Sequence, residues 1–332
     1  MTHNVPLLSF LLLALGLVVL SCGPGRDEMM VFTSEDETAH VYLREGDKNP
    51  RPLTDGPSHN HSPRLSPDGE LIAFVSDREG NADVYVMDRS GENVRLVSDG
   101  EGTASHPRWS PDGRQIAFLL QVDEGSPQIY ISDVEEPEAH RLTVGDFIEG
   151  PPAWSPDGQW IAFSLTDGDG QAQGIVLRNP GGVNQITLTD GPDFNPSWSP
   201  DSDRIVFQSS RNGNDDLYVI DVLEDFSGQP RRTTTNPGPD YGPAWSPDGD
   251  SIAFISERDD NPEIYVTSPD GTIVQRLTNN LSVEAEIVWS PKGQIAFVSY
   301  LHENADIFIM DSDGAAQAQV TSALGPDTQP HW

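Results

Sequence analysis

The chain has 332 residues, with 53 acidic side chains against 19 Lys and Arg, a formal net charge of −34 and a single cysteine. Charge this one-sided repels phosphate backbones and anionic bilayers, which argues against nucleic acid as a partner and leaves a membrane reachable only through an anchor. One cysteine excludes internal disulfides, thiolate metal clusters and a second reactive thiol.

The first predicted element, Leu7 to Leu20, is an apolar stretch too short for a typical membrane span, and it runs into Val19-Leu20-Ser21-Cys22-Gly23. This resembles a bacterial lipobox, although no Lys or Arg precedes the stretch. The resemblance implies a lipoprotein signal peptide over 1–21, lipidation of Cys22 and a short tether over 22–28. Gly23 is not the Asp associated with inner-membrane retention, so the expected address is the cell envelope, lipid-anchored, with the outer membrane favoured over the inner one and the periplasmic or extracellular face both open.

From residue 29 to 332 one phrase repeats seven times with a period in roughly the mid-forties, which is the length of one four-stranded propeller blade. Its anchor is Trp-Ser-Pro-Asp-Gly, intact at Trp109, Trp154 and Trp245. Pro presets φ, Asp suits the next position and Gly accepts positive φ, so the anchor reads as a hairpin turn. A short β-branched run follows, such as Ile116 to Leu120 or Ile252 to Ser256, and then an alternating one such as Asp83 to Asp88. A weaker strand, for example Arg276-Leu277-Thr278, completes the phrase before the next Pro-x-Trp. The copies are offset at the ends: the N-terminal segment supplies three strands and Pro330-His331-Trp332 supplies a lone fourth. The expected fold is therefore all-β, a seven-bladed β-propeller of four-stranded antiparallel blades, closed by the C-terminal strand joining the N-terminal blade. Closure removes the sheet edges that an open array would expose.

Trp-Ser-Pro-Asp-Gly, Ile-Ala-Phe-x-Ser and Asp-Ile-Tyr-Val-Met-Asp together resemble the TolB-type propeller repeat, over nearly all of residues 29–332. The resemblance implies that the Pro-x-Trp strand lines the central channel. It extends to the repeat rather than to the TolB protein, whose six-bladed propeller follows a separate domain, whereas only a few residues separate Cys22 from the first strand here.

Catalytic motifs are few. The chain has no P-loop and no Gly-x-Ser-x-Gly elbow, and His302-Glu303 lacks the second His of a zinc-protease helix. Two constellations remain at one rim of the channel. Three residues before the Pro position stand Glu149, Asp193, Asp240, Glu284 and Asp327, which symmetry would gather into a ring of negative charge; the same regularity fits turn capping at a strand entrance. His59, His61, His106 and His331 come from three consecutive blades, with Gln329 near, and are candidate ligands for a divalent metal ion, the one cofactor the sequence suggests. Their unequal offsets from the Pro fit separate hydrogen-bonding roles as well. Arg78, Arg211 and Arg258 recur beside Ser76, Ser209 and Ser256 and read as braces between blades.

The function expected is a lipid-anchored, monomeric, non-enzymatic binding module for an envelope protein or a glycan. The alternative is a metal-dependent polysaccharide lyase or hydrolase using the histidines. The acidity fits adaptation to salt as well as binding.

Overall fold

Each repeat folds into one antiparallel sheet, and seven such sheets stand around an axis. The computed structural model describes residues 28–332 except 146, 223, 224, 260, 302 and 303, and for Ile148 the backbone only. The expected signal peptide and Cys22 lie outside the described residues, as does the His302-Glu303 pair. Numbered by their innermost strands, blades 1 to 7 begin at Asn60–Leu65, Thr103–Trp109, Ile148–Glu149 with Ala153–Trp154, Asp193–Trp198, Asp240–Trp245, Glu284–Trp289 and Asp327–His331. The Pro-x-Trp segments thus form the inner strands, and each touches the inner strands on either side all the way round the ring.

Blade 7 closes the ring as its offset ends require. Asp327–His331 pairs with Met29–Glu35, which pairs with Ala39–Glu45 and then Arg51–Pro52, so three strands from one end of the chain accept one from the other. The outer strands are short, two residues at Arg95–Leu96, His140–Arg141 and Ala318–Gln319, in keeping with their weak sequence signal. In blade 3 the inner strand is broken because Pro151 and Pro152 have no N–H to donate to the ladder.

The core lies between blades, so the second strands are buried on both faces. In Met29–Glu35, Met29 and Val31 pack with Ile72, Phe74 and Met87 of blade 1. Met30 and Phe32 face the other way, into Ala296, Val298 and Ile307 of blade 6 together with Trp332. Two-sided burial explains why these strands read as continuous apolar runs rather than alternating ones. Tryptophan adds a polar pin: the indole N–H of Trp109, Trp154, Trp198, Trp245 and Trp289 donates to the carbonyl of Arg64, Arg108, Ala153, Ser197 and Ala244 in the preceding blade, at 2.8–3.2 Å.

The Ser-Pro-Asp-Gly segments are turns whose Asp is occupied locally. Ser110 Oγ donates to Asp112 Oδ1 at 2.6 Å, which also accepts the Arg114 N–H at 3.1 Å, and Gly113 closes the turn at φ 72°. The hydroxyl holds the carboxyls of Asp112, Asp201 and Asp248 below their usual range.

Candidate functional site: the axial channel

Every inner strand except that of blade 3 carries a bulge at the same place. Pairing with the second strand slips between His61 and Arg64, Ser105 and Arg108, Phe194 and Ser197, Tyr241 and Ala244, and Ala285 and Val288. The closing strand slips likewise opposite Val31 and Thr33. At each slip the residue before the Pro position takes positive φ: Ser62, His106, Asn195, Gly242, Glu286 and Gln329, between 50° and 63°. Five of these are not glycine, and each accepts a strain of about 1 kcal/mol to turn its side chain.

Two tiers of side chains result. One is the bulge residues; the other is the x of Pro-x-Trp, namely Arg64, Arg108, Ala153, Ser197, Ala244, Val288 and His331 in blades 1 to 7, all half-buried along the channel. The second tier is lopsided. Blades 7, 1 and 2 contribute His331, Arg64 and Arg108 in succession, while blades 3 to 6 contribute small or aliphatic uncharged side chains.

A cavity of about 400 Å³ opens against the charged arc, lined by Ser62, Arg64, His106, Arg108, Glu286, Ile287, Val288, Gln329, Pro330 and His331. Gln329 is fixed by Thr33 Oγ1 and by the Ser62 N–H, which donate to its Oε1 at 2.8 and 2.7 Å, and its own N–H donates to Glu286 Oε2 at 2.5 Å. Arg64 and Arg108 donate to their neighbours' carbonyls, Pro63 O at 2.9 Å and Pro107 O at 3.0 Å. Enclosure pushes Arg64 well down and Arg108 to about 10, and the two guanidiniums repel each other at Arg64. His106 is pushed down to about 4 by enclosure and then by Arg108 and Arg64, so it is neutral near pH 7. Enclosure raises Glu286, against the pull of the Gln329 N–H and Arg64.

The four expected histidines divide. His106 and His331 line this cavity; His59 and His61 do not. His331 Nδ1 accepts the Leu65 N–H at 3.2 Å, while His61 and His106 bond to Ser62 and Ser105. Among the described residues no three His, Cys, Asp or Glu side chains converge as a metal-holding group. His106 and His331 share the cavity without a third such ligand beside them.

The acidic ring also falls differently. Glu149, Asp193, Asp240, Glu284 and Asp327 are all buried in the blade walls, from 0% to 6% exposed, and present no charge to the rim. Arg211 reaches Asp193 at 2.6 Å and Arg258 reaches Asp240 at 3.0 Å. Glu149 accepts the Ile129 N–H at 2.8 Å, Glu284 accepts Asn280 Nδ2 at 2.6 Å, and Asp327 lies beside the hydroxyls of Ser34 and Thr321. Blade 1 has Asn60 at this position, bonded to Arg78 at 3.0 Å. These arginines therefore brace two strands of one blade, and not adjacent blades as the repeat alone suggests.

Arg64, Arg108 and Glu286 went unnoticed in the sequence. The available signal was the variable letter inside a conserved phrase: x is Arg in only two of seven copies.

The fold and the axial site define a closed seven-bladed propeller with a one-sided polar channel. The TolB beta propeller domain model matches residues 92–193 and 181–296, and the chain belongs to that family. A protein from Agrobacterium tumefaciens assigned as TolB is similar at 27% identity over 69% of this chain and 84% of its own, with a TM-score of 0.57. TolB from Acinetobacter baumannii shares 19% identity over 92% of this chain and 82% of its own, at a TM-score of 0.61. An oligogalacturonate lyase in complex with manganese shares 16% identity over 86% and 87%, at a TM-score of 0.72. The last two likenesses concern the fold. No functionally curated protein matches the chain.

Proposed function

We propose that this chain is a cell-envelope propeller, anchored by lipid on Cys22, that works as a non-enzymatic binding module and takes a protein or glycan partner at the mouth of its axial channel. The observation that carries this reading is the tier of bulges. Six blades hold the residue before the Pro position at positive φ and so present Ser62, His106, Asn195, Glu286 and Gln329 on a rigid ring. Strained backbone repeated around one opening is the mark of a surface built to present groups rather than merely to pack. The buried acids support the rim from beneath by fixing the strand entrances from which the bulges follow.

Ala244→Trp, which plugs the channel away from the charged arc, is expected to abolish retention of a specific envelope component by the immobilised protein while the circular dichroism melt stays unchanged. Retention equal to that of the parent protein would overturn the reading. In the same preparations Cys22→Ser should move the protein to the soluble fraction and remove the lipid mass.

A second reading, a metal-dependent polysaccharide lyase or hydrolase, draws on the likeness to the manganese-bound lyase and on His106, Gln329 and His331 meeting at one cavity. Elemental analysis of purified protein with and without His106→Ala and His331→Ala decides it: histidine-dependent metal would favour the enzyme.

A further inference from the structure

In a chain with nearly three acids for every base, guanidiniums are ordinarily claimed by carboxylates. Here Arg211, Arg232, Arg258 and Arg276 each lie 2.5–3.0 Å from a fully buried one. Arg64 and Arg108 do not. Among the described residues neither has a carboxylate within the 4.0 Å of an ion pair, and their side-chain bonds go to the carbonyls of Pro63 and Pro107. Two cations are thus held beside each other in the channel wall of a protein whose formal net charge is −34.

The backbone fixes this pairing. The carbonyls of Arg64 and Arg108 accept the indole N–H of Trp109 and Trp154, and the bulge ahead of each sets the direction of the side chain. His331 continues the arc on the other side of Arg64. In the same cavity Ile287 and Val288 present an uncharged aliphatic wall beside the arginines. Glu286 stands at one edge and turns an anion toward Arg108 and away from itself.

From this geometry we infer that the channel is a binding site for the single oxyanion group, carboxylate or phosphate, of a small and otherwise uncharged ligand, gripped by Arg64 and Arg108 with its neutral body against Ile287 and Val288. Guanidinium donors match either oxyanion in two-pronged fashion. The field of the rest of the protein filters the ligand, because a polyanion is repelled far more strongly than one oxyanion group on a neutral body. This inference rests on the binding-module reading and names the chemistry that the channel takes.

The probes are glucuronate, glucose 6-phosphate and glucose, titrated into the full chain by calorimetry and by proton NMR of the histidine rings. At least one charged sugar should bind with a Kd no weaker than about 10 mM, and glucose should not. Binding of glucuronate alone identifies a carboxylate site, and binding of glucose 6-phosphate alone a phosphate site. Arg64→Gln and Arg108→Gln should each weaken binding about tenfold or more, Arg114→Gln should leave it unchanged, and added salt should weaken it. An anion seated between the guanidiniums should also raise the pKa of His106, which a merely structural role for the arginines would not do. Failure of both charged sugars to bind, equal binding of glucose, or undiminished binding by both Gln variants would overturn the inference. Anion binding alongside partner capture that Ala244→Trp leaves intact would sink the module reading instead, and the converse result would spare that reading and sink this one.

Discussion

Arg211 makes three kinds of contact at once. Its Nε donates to Ser209 Oγ at 3.0 Å, its Nη2 to Asp193 at 2.6 Å, and its guanidinium lies over Tyr218, 4.9 Å from the ring centre. Asp193 is fully buried, so removing the arginine leaves a desolvated carboxylate without its counter-charge, whereas Arg231 and Asp221 form an exposed pair close to water. Arg211→Ala should therefore cost about 3 kcal/mol in urea unfolding and Arg231→Ala under about 1 kcal/mol. Equal costs would show that the brace does not stabilise the blade. The recurrence of Arg78, Arg211 and Arg258 was plain in the sequence, but their targets were not. Each target lies 18 residues back on the neighbouring strand, and which side chains face each other there depends on a register that the bulge resets. For the same reason the sequence left open whether the five acids face the rim or hold their strand entrances, and their burial sets them in the blade walls.

Between blades, the tryptophans tie the apolar layer to the channel. Trp198 is buried among Ile205, Phe207 and Leu177 and donates its indole N–H to Ala153 O at 3.1 Å, the carbonyl of a residue whose side chain belongs to the channel tier. Trp198→Phe keeps most of the apolar contact and removes the donor, so a loss of about 1 kcal/mol is expected, read by the same unfolding assay. A loss above about 3 kcal/mol would mean that volume rather than the hydrogen bond is what counts there. The blade was the most legible unit in the chain, because turn chemistry, apolar runs and the anchor Trp all repeat. The charged arc was not legible by that route: repeat reading averages over copies, and His331, Arg64 and Arg108 are where the copies disagree. The break in blade 3 could have been read directly from Pro151-Pro152, since two missing donors cannot sit within a continuous ladder.

Ring closure and net charge act on the molecule together. Every blade depends on two neighbours, and Asp327–His331 seals the last gap, so mutual repulsion of the acids works against the disc as a unit. Burial raises Asp83, Glu149, Asp216, Glu284, Glu286 and Asp327 above their ordinary values. An acid whose folded pKa lies above its unfolded one holds its proton more tightly in the native state, so stability falls as pH rises from about 4 through the folded pKa. Two effects run the other way. His61 and His106 are depressed, so below about 6.5 the unfolded chain takes up protons that the native state refuses. Asp112, Asp201 and Asp248, depressed by their serine partners, contribute stability above about 3.9 that is lost as pH falls through their folded pKa. Between pH 7.5 and about 5 the serine-bound acids stay ionised in both states, leaving six raised acids and relief of repulsion against two histidines, of which His106 keeps contact with solvent. Tm should therefore rise over that interval and fall again below about pH 4. His106→Gln, which removes one opposing group, should steepen the rise. A Tm that drops steadily from pH 7.5 to 5, or a His106→Gln variant with a shallower profile, would show that the channel histidines and not the buried acids govern the response to pH.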